Sequence, residues 1–165
     1  HVAVKVGGAY AEPTRRLVEE HGRWHLQAPR DAEAEAFVAK AIADEPVVLF
    51  ALEWCEFCWS VRKLFAALSI PYRSVDLDRV AYQKGDLGGR IRAALKLKTG
   101  SATIPQIFVG GEFVGGSTEI VSLAERGDLQ MRLAAMGTEF NAHADVDFAK
   151  LLPQWLNKSP KQPAA

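Results

Sequence analysis

Cysteine is scarce in this chain of 165 residues, occurring only at Cys55 and Cys58. This excludes the disulfide framework of a small secreted domain, and the spacing is typical of a redox pair or of half a metal site. An excess of charge of one sign is also absent, because Lys+Arg and Asp+Glu number 20 each. We therefore expect no nucleic acid and no membrane surface as a partner. The longest apolar run, residues 46–52, has the length of a strand and falls far short of the roughly 20 residues of a membrane-spanning helix.

Between residues 31 and 137 the sequence alternates between helical and strand-like patterns. Asp31 is a candidate N-cap for a helix over residues 31–44, and the apolar run after Pro46 predicts a strand covered on both faces. The remaining elements are predicted in this order: a helix over 60–69, a strand over 72–77, a polar connection over 80–88, a helix over 90–97, a hairpin with strands at 105–109 and 113–114, and helices over 118–126 and 128–136. This order predicts an α/β fold with a mixed sheet.

The two cysteines lie between the predicted buried strand and the first turn of the next helix. The free N–H groups and the dipole of a helix N-terminus favour a thiolate at Cys55, and the thiolate is the attacking species in disulfide exchange. Cys58 is then placed to resolve a mixed disulfide. The alternatives are two buried structural cysteines or a metal site, for which His21 and His25 could complete a Cys2His2 set.

Two further elements follow the cysteine pair. Pro105 stands where a strand begins, since proline cannot donate to a ladder, and the bond before it can be cis. A cis proline facing the cysteines would offer the backbone of Ile104 to an incoming peptide, whereas the alternative is an ordinary strand-start proline. In the second element, Gly115 and Gly116 permit close backbone approach, and Ser117 caps a helix whose N-terminus can bind a carboxylate. Its alternative is a hairpin exit with a normal N-cap.

Taken together, these elements resemble the glutaredoxin family over residues 46–126. The resemblance is carried by three motifs: Trp54-Cys55-Glu56-Phe57-Cys58, Thr99-Gly100-Ser101-Ala102-Thr103-Ile104-Pro105-Gln106-Ile107-Phe108-Val109, and Gly110-Gly111-Glu112-Phe113-Val114-Gly115-Gly116-Ser117-Thr118-Glu119. It implies a thioredoxin-like fold of three layers, with a four-stranded mixed sheet flanked by helices. It also implies reduction of protein disulfides or glutathione mixed disulfides, with glutathione as co-substrate.

The resemblance also assigns roles to individual residues. It makes Cys55 the nucleophile and Cys58 the resolving thiol. The residues that would bind glutathione are Phe57, Arg92, Thr103, Ile104, Pro105, Gly116, Ser117 and Thr118. Within this set, Thr103 and Ile104 would pair with the glutathione backbone, and the last three would hold its γ-glutamyl end.

This sequence departs from the family pattern around the cysteines. Glu56 and Phe57 stand where the family usually has proline and tyrosine, and Leu52 and Ala102 stand where basic residues are common. Arg92 could replace the missing cations, because arginine forms bidentate pairs with carboxylates. The alternative for Arg92 is a solvated helix face.

Two other functions remain open from the sequence. The first is a [2Fe–2S] carrier in which Cys55 thiolates of two chains and two glutathiones hold one cluster, which the loss of the proline at Glu56 permits. The second is a redox or partner-recognition module of a larger enzyme. We expect a monomer, or a dimer when a cluster is bound, with a disulfide-containing protein as substrate. The expected location is a reducing compartment, either the cytoplasm or an organelle stroma or matrix.

The flanks are longer than a minimal glutaredoxin needs. We divide the chain into an N-terminal extension of unclear structure (1–30), a glutaredoxin-like domain (31–137) and a C-terminal extension (138–165). In the first extension, residues 14–20 could form a short helix. In the last, residues 146–156 predict one amphipathic helix with Pro153 in its middle, followed by a polar tail.

Overall fold

The computed structural model of the chain describes residues 16–20, 23–27 and 30–157. Its first element is an antiparallel pair of strands, β1 (Arg16–Glu20) and β2 (Arg23–Gln27). The short helix predicted over residues 14–20 is therefore wrong for residues 16–20, and its first two residues lie outside the described part. A single short helix is marginal on its own, whereas a second strand supplies partners for the backbone N–H and C=O groups.

The central sheet has the four strands that the resemblance implies, and they lie in the order β4-β3-β5-β6. These are β3 (Val47–Ala51), β4 (Arg73–Asp76), β5 (Gln106–Val109) and β6 (Glu112–Gly115). β3 runs parallel to β4 and antiparallel to β5, and β5 and β6 form an antiparallel hairpin with an irregularity between Ile107 and Phe108. All five residues of β3 are buried, which confirms a strand covered on both faces.

Within the described residues, five α-helices cover the sheet: α1 (Ala32–Asp44), α2 (Glu56–Ala67), α3 (Leu87–Thr99), α4 (Ser117–Glu125) and α5 (Asp128–Ala135). Helices α2, α4 and α5 share one core cluster with Val47, Leu49 and Ala51 of β3. Helices α1 and α3 share the other with Val48 and Phe50. The alternation of side chains along β3 thus builds the predicted three-layer arrangement.

Several helices begin earlier than the sequence predicts. α2 begins at Glu56, so that Cys55 is its N-cap. The predicted polar connection over 80–88 instead holds two short 3₁₀ helices and the first two residues of α3. Gly88 explains this start, because a Cβ there would lie 2.1 Å from the carbonyl oxygen of Leu77. Only glycine lets the helix approach the strand end this closely.

The predicted amphipathic helix over 146–156 is wrong. Instead, two 3₁₀ helices, Phe148–Lys150 and Gln154–Asn157, stand on either side of Pro153. Proline has no N–H and its ring clashes with the carbonyl four residues earlier, so a continuous helix is excluded. We call residues 138–157 the C-terminal strap. Its apolar residues, among them Leu151 and Leu152, pack against the core cluster of α2, α4 and α5.

Candidate functional site

Cys55 is placed at the open N-terminus of α2. Its backbone is extended, its side chain caps nothing, and its carbonyl accepts the first helical hydrogen bond, from the Trp59 N–H at 3.0 Å. The thiol is half-buried, whereas the Cys58 thiol, in the first turn of the helix, is fully buried. Both cysteines are free thiols. Only Cys55 is therefore within reach of a large substrate.

The two thiols differ in their ionisation as well. Burial raises the pKa of the Cys58 thiol well above its ordinary range, although a backbone hydrogen bond from Leu52 opposes this effect. A hydrogen bond with the Cys55 sulfur, and the charge that Cys55 carries when ionised, raise the Cys58 pKa further. Cys58 is thus a protonated neighbour that can donate to Cys55.

Acidic residues that the sequence analysis did not identify hold the loop ahead of Cys55. The Asp78 carboxylate accepts from the Glu53 N–H at 2.8 and 3.0 Å, and the Trp59 indole N–H donates to the Glu53 carbonyl at 2.8 Å. Behind the loop, buried Asp76 pairs with Arg62 and accepts from the Ser74 hydroxyl. Trp54 is left 83% exposed beside the nucleophile.

The Thr103–Pro105 segment precedes β5, and the bond between Ile104 and Pro105 is cis, as the sequence analysis allowed. Gln106 is a positioning residue that sequence reasoning missed. Its buried side-chain amide donates to the carbonyls of Ser101 at 2.7 Å and Thr103 at 3.2 Å. The sequence signal for this role was that Gln106 is the one polar residue in the otherwise apolar strand β5.

Arg92 lies against the same segment. Its guanidinium donates to the Ala102 carbonyl through Nε at 3.4 Å and through an η nitrogen at 3.3 Å. It enters no ion pair within residues 30–157. The side chain is exposed, but the loop places its charge beside Thr103 rather than at random on the helix surface.

The Gly-Gly-Ser element begins α4 differently from the prediction. The N-cap is Gly116, and Ser117 is the first helical residue rather than the cap. The Glu119 carboxylate folds back to accept from the Gly116 N–H at 2.9 Å, which completes the first turn in place of a Ser117 cap. A Cβ at Gly116 would lie 3.3 Å from the Pro105 carbonyl oxygen, so the second and third motifs are neighbours.

Strand register brings the three motifs to one end of the sheet. Phe50, near the end of β3, pairs with Gln106 at the start of β5, and Ile107 pairs with Gly115 at the end of β6. The Cys55 loop, the Thr103–Pro105 segment and the N-terminus of α4 therefore leave the sheet at the same edge. Cys55 and Ile104 also pack against the same core cluster.

One further contact was not foreseen. The Trp155 ring, from the C-terminal strap, packs edge-on against Phe57 with centroids 5.8 Å apart, and its indole N–H donates to the Glu56 carboxylate at 3.1 Å. Trp155 lies 99 residues from Glu56 along the chain, so local pattern could not reveal the contact.

Within the described part of the chain, no three His, Cys, Asp or Glu side chains come together as metal ligands. His21 of the alternative zinc set lies outside that part, and only the backbone of His25 is described. The same residues contain no helix with the length and apolar character that crossing a bilayer requires.

Comparison with known proteins finds similarity over part of the chain. A family model described as Glutaredoxin matches residues 47–114. The chain is similar to Monothiol glutaredoxin-S10 of Oryza sativa subsp. japonica, with 31% identity over 107 residues that cover 65% of this chain and 63% of that protein. It is similar to Glutaredoxin-2 of Schizosaccharomyces pombe, with 34% identity over 103 residues that cover 62% of this chain and 89% of that protein.

Among solved structures, a crystal structure of a buckwheat glutaredoxin–glutathione complex matches with a TM-score of 0.57 and 30% identity. The match covers 66% of this chain and 97% of the buckwheat chain. Other relatives are named chloroplastic in Arabidopsis thaliana and mitochondrial in Homo sapiens, and the chain spans 55% and 53% of their lengths.

Proposed function

The chain belongs to the glutaredoxin family, and from this premise we propose that it is a glutathione-dependent thiol–disulfide oxidoreductase that reduces protein disulfides or glutathione mixed disulfides. The observation that carries the proposal is the asymmetry of the cysteine pair. A half-buried thiol caps a helix N-terminus, and a buried thiol with a raised pKa lies one turn further. The first is suited to attack, and the second to resolve the product.

The reaction proceeds in two exchanges. The Cys55 thiolate attacks one sulfur of the substrate disulfide, that S–S bond breaks, a new one forms to Cys55, and the departing thiolate takes a proton. Cys58, on losing its proton, then attacks the Cys55 sulfur and releases the second substrate thiol. Two glutathione molecules reduce the resulting Cys55–Cys58 disulfide and leave as glutathione disulfide. With a glutathione mixed disulfide on Cys55, a second glutathione can attack directly.

The glutathione site in this proposal is the edge where the three motifs meet. Thr103 and Ile104 offer backbone groups, Pro105 lies beside Gly116, and Phe57 lines the cysteine side. The N–H groups at Ser117 and Thr118, which follow Gly116, receive the γ-glutamyl carboxylate, and Arg92 receives the glycine carboxylate. The convergence of these segments and the similarity to a chain solved with glutathione support the assignment.

The test is turnover of a glutathione mixed disulfide by the wild type, Cys55→Ser and Cys58→Ser. We expect Cys55→Ser to be inactive and Cys58→Ser to keep much of the small-substrate activity, because glutathione can replace Cys58. Reduction of a protein disulfide should need both cysteines. Turnover by Cys55→Ser, or none by the wild type, would refute the proposal.

A second candidate, a [2Fe–2S] carrier, is favoured by Glu56 in place of the usual proline. The residues present fit a shared cluster, because Cys55 is the single accessible thiol and Cys58 is buried. Two chains would each supply Cys55, and two glutathione thiols would complete the ligands. Anaerobic reconstitution with iron, sulfide and glutathione should then give visible absorbance and a dimer, both diminished in Glu56→Pro. A colourless monomer would eliminate this candidate.

The proposal also covers the cellular compartment and the protein substrate. Dithiol chemistry with glutathione belongs to a reducing compartment, either the cytoplasm or an organelle, and relatives named chloroplastic and mitochondrial support an organelle. A disulfide-containing protein remains the proposed macromolecular substrate, with the chain acting as a monomer when no cluster is bound.

A further inference from the structure

The C-terminal strap returns to the cysteine loop and contacts both residues between the cysteines. The Trp155 ring packs against Phe57, and its indole N–H donates to the Glu56 carboxylate. Glu56 stands where the family usually has proline, and Trp155 lies beyond the family-matched segment 47–114. The pair is thus a property of this chain that the family pattern does not supply.

The strap is anchored well enough to fix the position of Trp155. Pro153 is buried, and Leu151 and Leu152 pack against the core cluster of α2, α4 and α5. At the other end of the strap, the Asn141 N–H donates to the carbonyl of Leu68, after the end of α2, at 2.7 Å. Trp155 therefore approaches the loop from a fixed base, although its own side chain is 54% exposed.

Glu56 carries a negative charge next to the nucleophile, and the hydrogen bond from Trp155 controls where that charge points. The residue is the immediate neighbour of Cys55 and the first residue of α2. A carboxylate that turns toward the Cys55 sulfur disfavours the thiolate by like-charge repulsion. A donor on the strap side holds the carboxylate in one direction and leaves the helix N-terminus to the sulfur.

Two other donors lie near Glu56, but neither binds its carboxylate. A groove of about 430 Å³ between α2 and the strap is lined by Glu56 together with Lys63 and Lys150. Lys150 forms its ion pair with Asp147 at 2.9 Å, and within residues 30–157 neither lysine forms an ion pair with Glu56. The indole N–H of Trp155 is the group that orients the carboxylate.

We propose that Trp155 is a positioning residue for the nucleophile: it holds the Glu56 carboxylate against the strap, so that the carboxylate does not occupy the open N-terminus of α2 beside the Cys55 sulfur. The inference rests on the proposed function only in taking Cys55 as the nucleophile. Its effect reaches every substrate equally, because it acts on the sulfur and not on substrate binding.

The experiment is a double-mutant cycle on the full chain with Trp155→Phe, Glu56→Gln and the double variant. Phenylalanine keeps a ring against Phe57 and removes only the N–H donor. The measured quantity is the rate of Cys55 alkylation by iodoacetamide at pH 7, followed by peptide mass spectrometry. We expect Trp155→Phe to slow alkylation about threefold, the size of an interaction between exposed charges. Glu56→Gln in the same chain should restore the rate, because no charge is left to orient.

The matched control is Leu156→Ala, which removes an exposed apolar side chain from the same 3₁₀ helix and should leave the rate unchanged. If Trp155→Phe unfolds the chain, Trp155→His keeps a ring N–H and should hold the wild-type rate. Equal slowing by Trp155→Phe with and without Glu56 would show a packing role and overturn the proposal, as would no slowing at all. Alkylation needs no glutathione, so a chain without turnover that still shows the coupling would refute the proposed function alone.

Discussion

The N-termini of α1 and α2 share the same N-cap backbone conformation but differ in what the N-cap side chain binds. Both N-caps, Asp31 and Cys55, have extended backbones. The Asp31 carboxylate accepts from the Ala34 N–H at 3.0 Å and also binds the Arg90 guanidinium, so the start of α1 is closed by its own side chain and a cation. The Cys55 side chain closes nothing. A helix start that stabilises the fold is thus satisfied internally, and one that serves chemistry leaves its N–H groups for a ligand or a thiolate.

α4 lies between these two cases. Its N-cap is a glycine without a side chain, but the Glu119 carboxylate takes the Gly116 N–H. The N–H groups that follow carry no such internal acceptor in the proposed site. The start of α1 is thus closed by its N-cap side chain, that of α4 is half-open because Glu119 takes the N–H of Gly116 but not those that follow, and that of α2 is open because the Cys55 side chain caps nothing. Substitutions at or near these starts test this difference.

The largest effect is expected between the two cysteines of α2. Burial raises the pKa of Cys58, so this thiol stays protonated at neutral pH and reacts only as the pH rises toward its raised pKa. At pH 7, Cys58 in the Cys55→Ser variant should be alkylated at least about a hundredfold more slowly than Cys55 in the Cys58→Ser variant. Mass spectrometry of the labelled peptides measures both rates. Comparable rates would mean that the open helix start confers no selectivity.

An intermediate effect is expected at the glycine carboxylate of glutathione, which in the proposed site is bound by Arg92 of α3 and not by the half-open start of α4. Arg92→Ala should raise the Michaelis constant for glutathione about tenfold, since a well-formed charge-assisted contact contributes about 1.4 kcal/mol. Lys96→Ala, on the same helix and also exposed, is the control and should leave the Michaelis constant unchanged. Leu52→Lys restores a cation that the family commonly has and should lower the constant. An unchanged constant in Arg92→Ala assigns that side chain to the solvated face of α3.

The smallest effect is expected at the closed start of α1. Arg90, and then the Ala34 N–H, lower the pKa of Asp31 to about 2. A carboxyl with a lowered pKa in the folded state stabilises the fold above its ordinary unfolded value near about 4, and that stability is lost as the pH falls toward 2. Asp31→Ala should therefore reduce the free energy of unfolding by about 1 kcal/mol at pH 7. The deficit against wild type should shrink below pH 4.

Urea titrations across that pH range measure the deficit, and turnover measured alongside should be unaffected. Asp44→Ala at the other end of α1 removes the Lys40 ion pair and serves as control, with a smaller and exposed contribution. If Asp31→Ala still lowers the free energy of unfolding at pH 2, the stabilisation comes from the Asp31 side chain as a helix cap and does not require its negative charge.

Local pattern predicted much of this molecule. The motif around Cys55, the Asp31 cap and the hairpin of β5 and β6 each depend on residues close together in sequence, and all three are present. The sequence also predicted the order of strands and helices, and this order brings the three motifs together.

The unpredicted features depend on which residues meet in the fold, whether their partners are near or far in the sequence. Residues 16–20 form a strand because β2 pairs with them. Pro153 itself breaks the predicted helix over 146–156, and the packing of the strap on the core then sets its course. The hydrogen bonds of Gln106, the support of Glu53 by Asp78 and the Trp155 contact are side-chain encounters that periodicity does not encode. The motifs determine where in the fold the site lies, and these side-chain contacts determine the positions of its residues.

The packing of the strap has a consequence for how the chain can be shortened. Phe140, Val146, Phe148 and Leu152 of the strap cover apolar surface of α2, α4 and α5. A chain cut at residue 137 would expose that surface next to Trp54, Trp59 and the reactive thiol. Contiguous exposed apolar surface promotes association. Such a truncated protein should therefore precipitate at concentrations that the longer chain tolerates, although it retains every motif of the family.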